Sequence, residues 1–153
     1  MAQRRRVHCL IAAGGTAGHV APSLAVAEAL ERHGARVTFA GSPDRIEALY
    51  AGADIFVLAS HFEGYGMAFA EALARGLPII GTTGGAIPDT VPPGAGILVE
   101  PKDVKALSRA LRMLIENPTE RRWLASGART AAQELPTWRE TAKLVAKAIE
   151  AAV

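Results

Sequence analysis

Cysteine is nearly absent. Cys9 stands alone, so no disulfide can close within the chain and no cysteine cluster suggests a metal site. Aromatic residues make up only 5% of a chain that is 50% hydrophobic, so the core must be built from Ala, Leu, Val and Ile. No apolar run approaches the ~18 residues that a membrane-spanning helix requires. A charge excess of one sign is missing as well. With 17 Lys and Arg against 15 Asp and Glu, the net charge is +2, too small to mark a nucleic-acid partner. Acids and bases are interleaved along 102–112 and 120–129, as on solvated helix faces. There is no internal repeat and no low-complexity segment. The basic cluster Arg4-Arg5-Arg6 precedes an apolar stretch that is short and broken by glycines, with no convincing cleavage site. It reads as a solvated tip before a buried strand rather than a signal peptide. These absences predict a soluble, cytoplasmic protein with no metal or other cofactor, no nucleic-acid partner and no membrane span.

What is present is a regular alternation of two periods. Apolar runs suited to buried strands fall at 6–12, 35–40, 54–59, 78–82 and 96–100. Helical spacing falls at 20–33, 43–51, 66–75, 103–116, 119–133 and 137–152. Pro22 suits a first helical turn, and Gly34 and Gly76 suit helix stops. Strands alternating with helices imply a parallel sheet covered on both faces. The fold class predicted is α/β, a three-layer Rossmann or flavodoxin-like domain. Its five parallel strands take the order 2-1-3-4-5, with extra C-terminal helices. The 153 residues are enough for one such domain with a sizeable core. Ligands of open α/β sheets bind at the carboxyl edge where the strand order switches. Here that edge collects the loops after the first, third and fourth strands.

The first of these loops is Gly14-Gly15-Thr16-Ala17-Gly18-His19. Its small residues allow close backbone approach, and the helix that follows offers free N–H groups to an anion. The bland alternative is a tight strand-to-helix turn. No Lys-Ser or Lys-Thr follows, so this is not a P-loop. The G-x-G-x-x-G spacing is absent, and the second strand ends without a ribose-binding acid, which disfavours a dinucleotide oxidoreductase. His19 either donates to a phosphate, accepts a proton from a hydroxyl, or only caps the turn. His61 is a candidate for the same crevice. His8 and His33 read as structural or exposed.

The second loop runs through Ser60-His61-Phe62-Glu63-Gly64-Tyr65-Gly66-Met67, and Glu71 follows in the next helix. Two carboxylates thus flank a glycine turn with seven residues between them. Spacing alone fits ordinary surface acids too: Glu63 favoured by a helix dipole, Glu71 exposed on a helix. The third loop carries Thr83-Gly84-Gly85.

From about residue 48 onward the landmarks fall in register with a known group. They are Glu63-x7-Glu71, the strand at 53–60, Gly76-Leu77-Pro78, Gly84-Gly85-Ala86-Ile87-Pro88-Asp89, Gly96-Ile97-Leu98-Val99 and Thr137-Trp138. This segment resembles the nucleotide-binding C-terminal domain of retaining GT-B glycosyltransferases. The resemblance implies that Glu71 holds the ribose hydroxyls of a donor nucleotide and that Glu63 lies near the donor sugar. Backbone N–H groups of Gly64, Tyr65, Gly66 and Met67 would face sugar and phosphate oxygens. Residues 6–45, with Gly-Gly-Thr-x-Gly-His, instead resemble the start of the MurG family of inverting N-acetylglucosaminyltransferases. There the loop belongs to the acceptor-side domain, and the resemblance implies that it faces diphosphate. Ala17 stands where that family usually has Gly.

The two resemblances join near 41–50, within one predicted domain, 1–153. No counterpart appears of the Gly-Arg and Lys that neutralise the donor diphosphate in the retaining group. The expectation is an engineered or recombined single GT-B-like domain. Its predicted ligand is a nucleoside diphosphate or nucleotide-sugar, best a UDP-sugar, held as substrate. Gly14, Gly15, Thr16, Gly18, His19, Gly84 and Gly85 would join the donor-loop residues in binding, with Glu63 and His19 as catalytic candidates. Little or no transfer is expected from the lone domain. The alternatives are a stable chimeric scaffold with no ligand and a minimal transferase active as a homodimer. Trp138, Leu144, Val145 and Ile149 would either fold onto the sheet or form an apolar patch.

Overall fold

Side chains that alternate along the strands are divided between the two faces of a single sheet. Leu10, Phe56 and Ile79 enter one apolar layer with Phe69, Leu73, Ile87 and Ala128. Their strand neighbours Cys9, Ile11, Ile55, Val57 and Ile80 enter the other, with Leu107, Leu111 and Leu114. This period-two division is what a sheet covered on both faces requires. The computed structural model describes residues 6–12, 27–28, 30–32, 34–40 and 46–151.

The strands are β1 His8–Ala12, β2 Arg36–Ala40, β3 Ile55–Val57, β4 Ile79–Thr82 and β5 Gly96–Val99. All pairings are parallel, and the order is β2-β1-β3-β4-β5. That is the predicted 2-1-3-4-5 sheet. β1 lies between β2 and β3, pairing Cys9 with both Val37 and Ile55, so the order switches there. The helices are α1 Ile46–Gly52, α2 Met67–Ala74, α3 Ile87–Thr90, α4 Val104–Glu116, α5 Pro118–Ala132 and α6 Trp138–Ala151. Of the helix expected at 20–33, Ala27, Glu28, Leu30, Glu31 and Arg32 are helical; its other positions lie outside the described residues. The third strand is shorter than 54–59, because the chain leaves the sheet after Val57 toward the loop. The ladder still continues by one bond, from Leu58 N–H to the Ile80 carbonyl at 3.0 Å.

Local chemistry sets the helix ends. Asp103 caps α4 by accepting from Ala106 N–H at 2.8 Å. Asn117 caps α5 by accepting from Thr119 and Glu120 N–H, with Pro118 in the first turn. Helix α2 stops at Gly76, whose φ is +66. Gly76 N–H donates to Leu73 O and Leu77 N–H to Ala72 O, the paired bonds of a Schellman motif. Helix α6 opens with a capping box, Thr137 N–H to Glu140 and Glu140 N–H to the Thr137 hydroxyl. It buries no residue. Trp138 is 78% exposed and Leu144 66% exposed, so the apolar side chains of this helix form a surface patch instead of covering the sheet.

Three of the scarce aromatics pack together beneath one edge. Tyr50 stacks on Phe56 at 5.9 Å, and Phe56 meets Phe69 edge-on at 5.7 Å. Burying each such ring stabilises by roughly 1.5–3 kcal/mol, so this cluster anchors α1 and α2 against the sheet below the loops described next.

Candidate functional site

The loop after β3 is stitched to the loop after β4. The Thr82 hydroxyl donates to the Ser60 carbonyl at 2.5 Å. Ser60 is buried, and its own hydroxyl donates to Glu63 Oε1 at 2.5 Å. Glu63 is bridged to Gly85: its N–H points to the Gly84 carbonyl at 3.4 Å, and its carbonyl accepts from Ala86 N–H at 2.9 Å. Farther along, the Thr90 hydroxyl holds the Tyr65 carbonyl at 2.7 Å. The Glu63 carboxylate is therefore fixed by Ser60 and its backbone by the β4 loop.

The glycines of this edge have separate tasks. Gly66, with φ +77, is the N-cap of α2 and offers no side-chain cap. The N–H groups of residues 64–68 have no acceptor among the described residues. They form a run of donors at the positive end of a helix, which suits an anion. A β-carbon on Gly84 would sit 2.3 Å from the His61 carbonyl oxygen, so that glycine is demanded by close backbone packing whether or not a ligand binds. His61 and Phe62 are exposed, and Tyr65 and Met67 are about half exposed.

Glu71 lies one turn into α2, partly buried. Its Oε2 accepts from the Tyr50 hydroxyl at 3.0 Å, and the Arg75 guanidinium covers the Tyr50 ring at 4.8 Å. Burial first, and then the Glu71 carboxylate, push the Tyr50 hydroxyl well above its ordinary pKa, so it remains a protonated donor. The structure thus brings Glu63, Gly64, Tyr65, Gly66, Met67, Gly84 and Gly85 together on one edge, with Glu71 on the helix leading away. Gly14, Gly15, Thr16, Gly18 and His19 lie outside the described residues, as does His33. His8 is structural: Nδ1 contacts the Gly52 carbonyl and Nε2 the Thr38 hydroxyl at 2.8 Å. Sequence reading missed Tyr50, and no local pattern around it signals contact with a helix 21 positions on. Among the described residues no three His, Cys, Asp or Glu side chains converge as metal ligands. No described helix is long and apolar enough to cross a membrane.

A doubly wound parallel sheet with a helix N-terminus at its carboxyl edge is a Rossmann-like domain. Residues 1–117 match the family described as glycosyl transferases group 1, and the chain belongs to that family. It is 33% identical over 114 residues to the MMP alpha-(1->4)-mannosyltransferase of Mycolicibacterium hassiacum, covering 73% of this chain and 28% of that protein. It is 32% identical over 142 residues to a UDP-N-acetylglucosamine–N-acetylmuramyl-(pentapeptide) pyrophosphoryl-undecaprenol N-acetylglucosamine transferase from Bordetella petrii, covering 83% and 40%. The fold superimposes on Anabaena Alr3699/HepE in complex with UDP and glucose with a TM-score of 0.73 at 22% identity, covering 95% of this chain and 40% of that one. The chain spans less than half the length of these proteins.

Proposed function

We propose that this chain is a donor-nucleotide half-site of a GT-B glycosyltransferase and takes a nucleoside diphosphate sugar, with a UDP-sugar the best single candidate. The observation that carries the reading is the run of N–H groups at 64–68 with no acceptor among the described residues, set between Glu63 and Glu71. In this assignment the Glu71 carboxylate accepts from ribose hydroxyls. Glu63, fixed by Ser60, sits at the donor sugar, and the N–H groups take sugar and diphosphate oxygens. Gly84 and Gly85 border the same edge. The assignment also gives diphosphate binding to Gly14, Gly15, Thr16, Gly18 and His19, with His19 as donor to phosphate or acceptor of a proton. That one similar fold holds UDP and glucose supports the choice of base.

Binding in this assignment is weak. The sequence has no counterpart of the two cationic positions of the retaining group, and losing desolvated charge pairs costs about 2–5 kcal/mol. Stabilising the departing diphosphate is a large catalytic term, so the 153-residue polypeptide alone turns over little or no sugar. The mixed resemblance supports a further part of the proposal, that the β1–β2 half is acceptor-type and was recombined onto a donor-type half.

The test is a proton–nitrogen NMR titration with UDP and then UDP-N-acetylglucosamine. Saturable shifts are expected at residues 64–67 and 71, and they should vanish in Glu71→Ala. A well-dispersed spectrum that stays still at millimolar ligand overturns the donor-site reading and leaves a ligand-free scaffold. The exposed apolar face of α6 favours one second reading, a homodimer that closes two crevices together. It requires activity per chain to rise with protein concentration and to fail in Glu63→Gln.

A further inference from the structure

The Tyr50 side chain is unusually constrained for a residue with no functional signature. It is 2% exposed, stacked on Phe56 and covered by the Arg75 guanidinium. Its hydroxyl has one hydrogen and two acceptors in reach, Glu71 Oε2 at 3.0 Å and the Ala68 carbonyl at 3.4 Å. The shorter, charged acceptor is the stronger one. Arg75, one turn after Glu71, reaches the Glu71 backbone carbonyl at 3.4 Å rather than its carboxylate. Among the described residues Tyr50 is therefore the side chain that orients the Glu71 carboxyl group, and none of them bonds to Oε1.

We infer that Tyr50 is a positioning residue of the donor site, holding Glu71 in one rotamer so that Oε1 faces the ligand and reads ribose. The inference rests on the reading of Glu71 as the ribose acceptor. A glutamate on a helix face otherwise samples several rotamers, and ordering it on binding weakens affinity. With Oε2 already engaged, the two ribose hydroxyls meet Oε1 and the remaining lone pair of Oε2 rather than two free oxygens. Tyr50 thereby sharpens the preference for a ribonucleotide over one lacking the 2′ and 3′ hydroxyls.

The experiment compares UDP with 2′,3′-dideoxy-UDP by calorimetry or NMR titration, for the unaltered chain, Tyr50→Phe, Glu71→Ala and the double variant. Phe keeps the stacking and removes only the hydroxyl. Because the hydroxyl acts on ribose only through Glu71, part of its hydrogen bond is felt at the ligand, and Tyr50→Phe should lower the dideoxy-to-ribo Kd ratio roughly three- to tenfold. The dideoxy affinity itself should not move. In the Glu71→Ala background, Tyr50→Phe should add nothing, an outcome a merely structural role would not produce. A full ribose preference retained by Tyr50→Phe but lost in Glu71→Ala overturns the role of Tyr50 alone. Absence of any ribose preference in the unaltered chain, or of UDP binding altogether, overturns the donor-site reading and this inference with it.

Discussion

Gly85 and Glu63 are in backbone contact. A β-carbon on Gly85 would lie 2.3 Å from the Glu63 carbonyl oxygen, and Gly85 already has a φ of +69. Gly85→Ala must therefore push the Glu63 loop aside while forcing alanine into the left-handed region. Overpacking costs about 1–3 kcal/mol and the left-handed conformation about 1–2 kcal/mol more. The urea midpoint should fall accordingly with an unchanged m-value. A midpoint within error of the parent would show that this contact is not made in solution.

Gly127 poses two opposing effects inside α5. Alanine in a helix interior is favoured over glycine by about 1 kcal/mol. At this position, however, the new β-carbon would sit 2.0 Å from the Gly94 carbonyl oxygen. Backbone cannot yield as a flexible side chain can, so overpacking at about 1–3 kcal/mol wins. Gly127→Ala should lower Tm, and a rise would mean that α5 does not pack on the 94–95 turn.

Cys9 is buried in β1, and burial, followed by the charge of Asp54, raises its thiol pKa to about 12, against a smaller lowering by Arg121. The thiolate is the nucleophile, so iodoacetamide at pH 8 should label the chain only after unfolding in urea. The folded pKa lies above that of the unfolded thiol, about 8.5. The folded state then keeps a proton that the unfolded state releases. Its stabilising contribution is full below about 8.5 and is lost as pH rises toward 12. Unfolding midpoints at pH 7 and pH 10 should differ more for the parent than for Cys9→Ala. Rapid native labelling would contradict the burial.

The sheet was legible because its strands are short apolar runs bounded by glycine and proline, and right-handed crossovers leave few orders for such a chain. The end of α2 followed from Gly76, whose chemistry acts within a few residues; the Asp103 and Asn117 caps are just as local but were not singled out in the sequence. The capping box of Thr137 and Glu140 is equally local, but the fate of the α6 apolar face depends on what it meets, which no local pattern states. The pairing of Glu63 with Gly85 was legible only as two separate glycine-bearing loops. Sequence also suggested Gly84 and Gly85 as ligand-facing, whereas their close packing on the carbonyls of His61 and Glu63 is a tertiary demand. Tyr50 was invisible for the same reason: its partner is on another helix.

The stitching of Ser60, Thr82, Glu63 and Gly84 also determines how this edge can be transplanted. A cut anywhere between Ser60 and Gly85 would part a carbonyl from the glycine shaped to admit it, or a carboxylate from the hydroxyl that aims it. The exchangeable cassette is the whole β3-to-α3 block. Library builders who shuffle loops one at a time here would generate mismatched halves, whereas those who move the block intact would carry the geometry with it.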